Sequence, residues 1–432
     1  MKTFKIITLG CKVNQYETQA MREQLISAGL KEVNPHTKYF GVGVNSHTPA
    51  DLYIVNTCTV TQDTDRECRR FLRRCAKENP KASIVATGCY AENDAGVIKE
   101  INSNIIILKK GTASDFLAGL KGVKPIEEKS EAVPIITYFE GRTKAFIKIQ
   151  DGCDNFCSYC KVPYVRGKPR SRSKDEIIME AQALIKNNYK ELVLCGICLG
   201  SYGKDLKEEV TLKDVVSQIS ALTGDFRIRL SSIEMQDVTC ALIGLIKDRD
   251  NICNHLHIPL QSGDDEILKK MNRKYTTDKF IDKINEIKER IPGIAISTDI
   301  IVGFPGEGES AFKNTLSAIQ KIQPMRTHIF TYSKRDETLA CNLKGHIKKS
   351  EAAKRYKAIK KITDKIASEY YEYSKGLPQR VLVEDERDKN TKKLCGYTDT
   401  YVRFVFDGPD EWIGKFAFLQ KSKENIVQAL TF

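Results

Sequence analysis

Lys144-Ala-Phe-Ile-Lys-Ile-Gln150, running two residues later into Cys153-Asp-Asn-Phe-Cys157-Ser-Tyr-Cys160, is the stretch on which the fold of this 432-residue chain turns. The apolar, β-branched run predicts a buried strand over Ala145–Gln150, and the cysteines leave its carboxyl end with the spacing C-x3-C-x2-C. Three thiolates on one short loop can hold three irons of a [4Fe–4S] cluster and leave the fourth iron open to a substrate or cofactor. A zinc site normally takes a fourth protein ligand, and no histidine lies between Pro134 and Lys190. Fourteen cysteines in a chain that starts without a secretory apolar core predict metal or redox chemistry in the cytoplasm, where thiols stay reduced, rather than a disulfide framework.

Working outward, strand-like runs recur at Glu191–Cys195, Phe226–Ser231, His255–Leu260, Ala295–Val302 and Thr327–Tyr332, with helical patterns such as Lys174–Asn187 and Thr277–Arg290 between them. Six βα units predict a partial (β/α)6 barrel, whose site lies at the carboxyl ends of its strands. Before it stand three shorter runs of one shape: Phe4-Lys-Ile-Ile-Thr-Leu-Gly-Cys11, Asp51-Leu-Tyr-Ile-Val-Asn-Thr-Cys58 and Ala82-Ser-Ile-Val-Ala-Thr-Gly-Cys89. With helical stretches Gln15–Ala28 and Asp63–Lys77 between them, they predict a doubly wound α/β domain that gathers Cys11, Cys58 and Cys89 at one sheet edge, as a second three-cysteine cluster site. Leu120–Glu140 reads as a linker, Ile347–Tyr373 as a basic helix, and the short strands Arg380–Glu384, Tyr401–Phe406 and Lys415–Leu419 as a small β-barrel. The division is therefore 1–120, linker 121–140, 141–370 and 371–432. No run of about 18 apolar residues predicts a membrane span.

The C-x3-C-x2-C loop resembles that of the radical S-adenosylmethionine enzymes. That resemblance implies that the open iron is chelated by S-adenosylmethionine, that Tyr159 packs near its adenine, and that Ser231, Ser232, Glu234, Gln261 and Ser262 contact its ribose and methionine portions. With the N-terminal motifs Thr8-Leu-Gly-Cys-Lys-Val-Asn14, Asn56-Thr-Cys-Thr-Val-Thr61 and Thr87-Gly-Cys-Tyr-Ala91, and with Arg166-Gly-Lys-Pro-Arg-Ser-Arg172, His257-Ile-Pro-Leu-Gln-Ser-Gly263 and Val302-Gly-Phe-Pro-Gly-Glu307, the whole chain resembles the methylthiotransferase family. The resemblance implies two [4Fe–4S] clusters, two S-adenosylmethionine molecules per turnover, a sulfur source, an electron donor, and a C-terminal RNA-binding TRAM domain. In the related sequences Thr and His stand where Cys195-Gly-Ile-Cys198 has its cysteines, so these read as small substitutes; Cys68 and Cys75 share a helical face suited to core packing.

A net charge of +13, from 69 basic against 56 acidic residues, fits a polyanionic partner. Basic residues concentrate in Arg66–Lys81, Lys161–Lys174 and Lys344–Glu369, whereas the segment from Glu372 onward is balanced. Its aromatics Tyr397, Tyr401, Phe404, Phe406, Trp412 and Phe416 suit either base stacking or a core. The motifs look most like the branch of the family acting on threonylcarbamoyladenosine of transfer RNA, whose carboxylate needs a cation, with Arg166, Arg170 and Arg335 as candidates. Isopentenyladenosine, a ribosomal-protein aspartate, or a non-catalytic iron–sulfur RNA binder are the alternatives.

Overall fold

In a computed structural model, residues 2–33, 48–108, 135–421 and 427–430 are described; the predicted linker lies outside them up to residue 134. The chain divides into two compact units: Met1–Gly141 with Asp151–Asp154 and Cys160–Lys168, and Arg142–Gln150 with Asn155–Tyr159 and Pro169–Phe432.

The first unit is built on a parallel sheet of β1 (Thr3–Thr8), β2 (Lys31–Glu32), β3 (Leu52–Thr57), β4 (Ser83–Gly88) and β5 (Ile106–Ile107), in the order β2-β1-β3-β4-β5. This doubly wound order places a crevice where the winding reverses, between β1 and β3. Alternation of side chains across the sheet explains why the strands are apolar throughout. Phe4, Ile6, Leu52, Ile54 and Val85 face Met21 and Leu25 of the helix Lys12–Ser27, while Tyr53, Val55, Ile84 and Ala86 face Cys68, Phe71, Leu72 and Cys75 of the helix Gln62–Glu78. Cys68 and Cys75 are core residues, and burial pushes both thiols up to about 12.

The second unit opens with six parallel strands: β6 (Lys144–Lys148), β7 (Glu191–Cys195), β8 (Arg227–Leu230), β9 (His255–His257), β10 (Ala295–Val302) and β11 (Arg326–Thr331). β8-β7-β6 and β9-β10-β11 form two ladders, joined by single bridges at Ile228–Ile252 and Ser232–His257. This is the predicted partial barrel, with β7 and β10 at their predicted bounds. The basic helix spans Lys349–Lys375, and no helix of the described residues is long and apolar enough to cross a membrane.

The chain ends in an antiparallel sheet of β12 (Gln379–Val383), β13 (Leu394–Thr398), β14 (Arg403–Phe406), β15 (Phe416–Lys421) and β16 (Val427–Leu430), consistent with a small barrel. It packs on the amino ends of the parallel strands. Lys144 pairs with Glu384 at 2.9 Å, and Arg227 and Arg229, bound to Glu191 at 2.7 and 2.8 Å, donate to the carbonyls of Tyr397 and Thr398 at 2.8 and 2.9 Å. His255 and Arg326 lie against the Tyr401 ring, and Ala295 and Met325 join the core of Val381, Phe404 and Phe406. The sequence-named aromatics are thus committed: Phe404 and Phe406 to the core with Trp412 packed against it, Tyr397 and Tyr401 to Lys144 and Arg229, and Phe416 to Arg380 at 3.7 Å. Burial would raise the Glu191 carboxyl, but Arg229 and Arg227 outweigh it and hold the group far below the ordinary carboxylate range.

Candidate functional site

Parallel register sets the N-terminal cysteines. Thr8 pairs with Asn56 and Thr57 with Gly88, so the carboxyl ends of β1, β3 and β4 are level; Cys58 and Cys89 follow β3 and β4 directly, and Cys11 caps the helix after β1. Cys11 is exposed, whereas Cys58 and Cys89 are buried. Burial raises the Cys58 thiol well above its usual value, and the neighbouring Cys11 and Cys89 add to the rise. Gly10 has φ +102°, and a Cβ there would stand 2.6 Å from Cβ and 2.7 Å from Sγ of Cys58, so its missing side chain is what lets Cys11 and Cys58 approach.

Hydrogen bonds fasten these strand ends to one another. Asn14 donates to the carbonyls of Leu9 and Thr57 at 2.8 and 2.9 Å, and Thr57 Oγ1 donates to the carbonyl of Thr87 at 2.6 Å and accepts from the Ala91 amide at 2.9 Å. Arg166, with its side chain 1% exposed, donates to Cys89 Sγ at 3.2 Å, Asn14 at 2.6 Å, Asp151 at 2.8 Å and Glu17 at 3.0 Å. The sequence reading offered Arg166 to a substrate carboxylate; its partners here are two protein carboxylates, an amide and a cysteine. Asn14, Glu17 and Asp151, and the role of Arg166 toward Cys89, are what the sequence reading missed at this site. They are spread over more than 150 residues and carry no local spacing.

Cys153, Cys157 and Cys160 lie half-buried on the loop after β6, as predicted. The Cys153 amide donates to the Gly167 carbonyl at 3.0 Å, and the Val162 amide donates to Cys160 Sγ at 3.4 Å. Asn272 donates to the carbonyls of Asn155 and Phe156 at 3.2 and 2.9 Å, and the Ser158 amide donates to the Met271 carbonyl at 3.0 Å, so the turn after helix Asp265–Lys270 shapes the loop. Arg273 donates to Cys157 Sγ at 3.5 Å and forms an ion pair with Glu234, one of the residues named from sequence.

The other named residues gather at the carboxyl ends of the barrel strands. Tyr159 packs on the apolar group of Ile267, Met271, Ile301 and Phe304. Ser231 directly follows β8, with its Oγ buried and without a hydrogen-bond partner among the described residues, which suits a ligand rich in polar groups. Ser232 is exposed; Gln261 is buried with φ +67° and bridges to Ile300. The Ser262 hydroxyl is occupied internally, 3.4 Å from Thr315 Oγ1 and accepting from the Asp264 amide at 3.3 Å. Three thiols on one short loop suit three irons of a cluster, and the unpartnered buried hydroxyl of Ser231 at the carboxyl end of a barrel strand suits the polar groups of S-adenosylmethionine. Cys195 and Cys198 are buried, and Cys198 Sγ accepts from Ser201 at 3.1 Å and Asn155 at 3.7 Å. A polar group unforeseen from sequence joins β9, β10 and β11: His257 contacts Ser297 through Nδ1 at 2.9 Å and Asp299 through Nε2 at 3.1 Å, with His328 beside them.

Two family models match the chain: the radical SAM superfamily over residues 147–319 and the uncharacterized protein family UPF0004 over residues 3–108. The threonylcarbamoyladenosine tRNA methylthiotransferase MtaB of Bacillus subtilis is 36% identical, over 96% of this chain and 92% of the relative. The tRNA-2-methylthio-N(6)-dimethylallyladenosine synthase of Clostridium tetani is 33% identical, over 98% and 94%. Among solved structures, the radical S-adenosylmethionine methyltransferase TsrM of Kitasatospora setae is similar in fold with a TM-score of 0.55 at 14% identity, covering 79% of this chain and 77% of that one. Near-complete coverage at this identity, joined to cysteines level at the strand ends, places the chain in the methylthiotransferase family of radical S-adenosylmethionine enzymes.

Proposed function

We infer that the chain inserts a methylthio group into threonylcarbamoyladenosine of transfer RNA. The observation that carries the reaction class is the alignment of Cys11, Cys58 and Cys89 at the ends of neighbouring parallel strands, in a chain that also has the C-x3-C-x2-C loop. For the substrate, relatives named for threonylcarbamoyladenosine reach 36% identity against 33% for the dimethylallyladenosine synthase.

In this reading Cys153, Cys157 and Cys160 hold the cluster that binds S-adenosylmethionine, and Cys11, Cys58 and Cys89 hold a second one. When bound, these groups supply a one-electron hydrogen abstraction, which no acid or base of the chain can perform at an aryl carbon, and a sulfur for transfer. The chain's own residues hold and orient. Arg273 neutralises Glu234 and supports Cys157; Ser231 offers its hydroxyl to the cofactor; Tyr159 closes an apolar wall behind it. With Arg166 committed to protein partners, Arg170, which is exposed, and Arg335, which is 5% exposed, are the candidates left for the substrate carboxylate. A one-electron donor and a sulfur source complete the system, and the cytoplasm, which holds transfer RNA, is its compartment.

The test is mass spectrometry of transfer RNA nucleosides from a strain lacking the gene. Loss of 2-methylthio-threonylcarbamoyladenosine, with its unthiolated precursor accumulating, is expected. Loss of the isopentenyl derivative instead overturns the substrate assignment, and no change points to a protein substrate or a non-catalytic role. In vitro, Cys153→Ala is expected to abolish 5′-deoxyadenosine formation, whereas Cys58→Ala is expected to retain it and to make no thiolated product.

A further inference from the structure

A guanidinium has five N–H donors in a fixed plane, and Arg166 commits all of them inside the first unit. Nη1 donates to Glu17 Oε1 at 3.0 Å and Asp151 Oδ1 at 2.8 Å; Nη2 donates to Asn14 Oδ1 at 2.6 Å and Glu17 Oε2 at 3.2 Å. The fork of Glu17 and the carboxylate of Asp151 fix the plane of the group, so the remaining Nε–H points at Cys89 Sγ, 3.2 Å away. Asn14, the fourth partner, is itself tied to the backbone just before Cys11 and just before Cys58. One buried cation thus reaches one cysteine directly and the other two through a single amide. A surface arginine would give a solvent-screened attraction; this one is 1% exposed, where charge and hydrogen bonds act at reduced dielectric.

We propose that Arg166 is the positioning residue of the N-terminal three-cysteine site, orienting Cys89 through an N–H···S hydrogen bond and drawing electron density from the iron–sulfur group held there. The proposal rests on the two-cluster reading above. A hydrogen bond and a positive charge next to a ligand sulfur stabilise the reduced form of a cluster, so they raise its reduction potential. Arg166 is therefore not the partner of a substrate anion: each donor is already taken, and two of its acceptors are carboxylates.

The experiment uses full-length chain carrying Cys153→Ala, Cys157→Ala and Cys160→Ala together, reconstituted with iron and sulfide, so that the N-terminal site alone is observed. Redox titration followed by electron paramagnetic resonance is the readout. Arg166→Gln removes cation and N–H···S bond and is expected to move the midpoint to more negative potential with altered g values. Arg166→Lys keeps the charge without the planar fork and is expected to shift it less, in the same direction. Glu17→Gln removes an opposing negative charge and is expected to shift it positively. In the otherwise native enzyme, both Arg166 variants are expected to lower thiolated product at least tenfold while 5′-deoxyadenosine still forms. Unchanged potential and g values in the Arg166 variants overturn the proposal; should they not fold, an unchanged potential in Glu17→Gln does so. Failure of the underlying reading looks different: adding Cys58→Ala to the triple variant would leave the iron content unaltered.

Discussion

Gly10→Ala is the sharpest test of how the N-terminal site is built. The new Cβ would lie 2.6 Å from Cβ and 2.7 Å from Sγ of Cys58, where carbon atoms ordinarily rest about 3.5–4.0 Å apart. One of the two chain segments must retreat by about 1 Å. The retreat is constrained, because Cys58 is buried and the Thr57 carbonyl before it accepts from Asn14. Overpacking of this kind costs about 1–3 kcal/mol, and a side chain at φ +102° adds about 1–2 kcal/mol of backbone strain. A folded domain can absorb that cost; a metal site cannot absorb the displacement, since ligand distances hold to about 0.2 Å. On the two-cluster reading proposed above, the variant should therefore remain folded, with a lower Tm, and should lose the iron proposed for the N-terminal site when assayed in the triple Cys153, Cys157 and Cys160 alanine background. In the otherwise native enzyme it should still cleave S-adenosylmethionine to 5′-deoxyadenosine and make no thiolated product. A Gly10→Ala enzyme with wild-type iron content and product yield would refute the close approach of Cys11 and Cys58.

Three further outcomes follow from other parts of the molecule. Glu191 is held below its ordinary value of 4.5, so its contribution to stability is complete above that pH and is lost as pH falls below it; Tm measured from pH 6 to pH 3 should fall more steeply for the wild type than for Glu191→Gln, and parallel curves would refute the buried pairing. Tyr401→Ala, which strips the ring from beneath Arg229 and His255, should cost about 2–4 kcal/mol in denaturant unfolding while leaving the salt dependence of transfer RNA binding unchanged. Replacing Lys354, Lys357, Lys361 and Lys365, exposed on one face of the Lys349–Lys375 helix, with glutamine should weaken transfer RNA binding and lower the salt slope by about one for each phosphate that these lysines neutralise; an unaltered slope would move the RNA elsewhere.

The parallel strands were legible because a strand covered on both faces must be apolar at every position: Ala295–Val302 and Glu191–Cys195 match residue for residue. Cys11, Cys58 and Cys89 were legible for a related reason, since each ends a run of the same shape. Leu394–Thr398 escaped because a strand containing Cys, Gly and a flanking pair of lysines carries no alternation. Arg227-Ile-Arg229 lies in the predicted strand Phe226–Ser231, but nothing in that pattern told that the C-terminal sheet covers its two arginines and that they are buried on Glu191. Arg166 was visible as a charge and invisible as a partner of Cys89, 77 residues away, because no periodicity reports which side chains a fold brings together.

The C-terminal sheet fastens to the first residues of successive barrel strands, Lys144, Glu191, Arg227, His255, Ala295 and Arg326, and so acts as a stopper at that mouth of the barrel. A stopper cannot be trimmed as an appendage can. Cutting the chain after the Lys349–Lys375 helix would leave Arg227 and Arg229 facing water without the carbonyls that complete their shells. The tail is therefore free to vary only on the side turned away from the strands, and any exchange of this module between relatives must carry its docking residues with it.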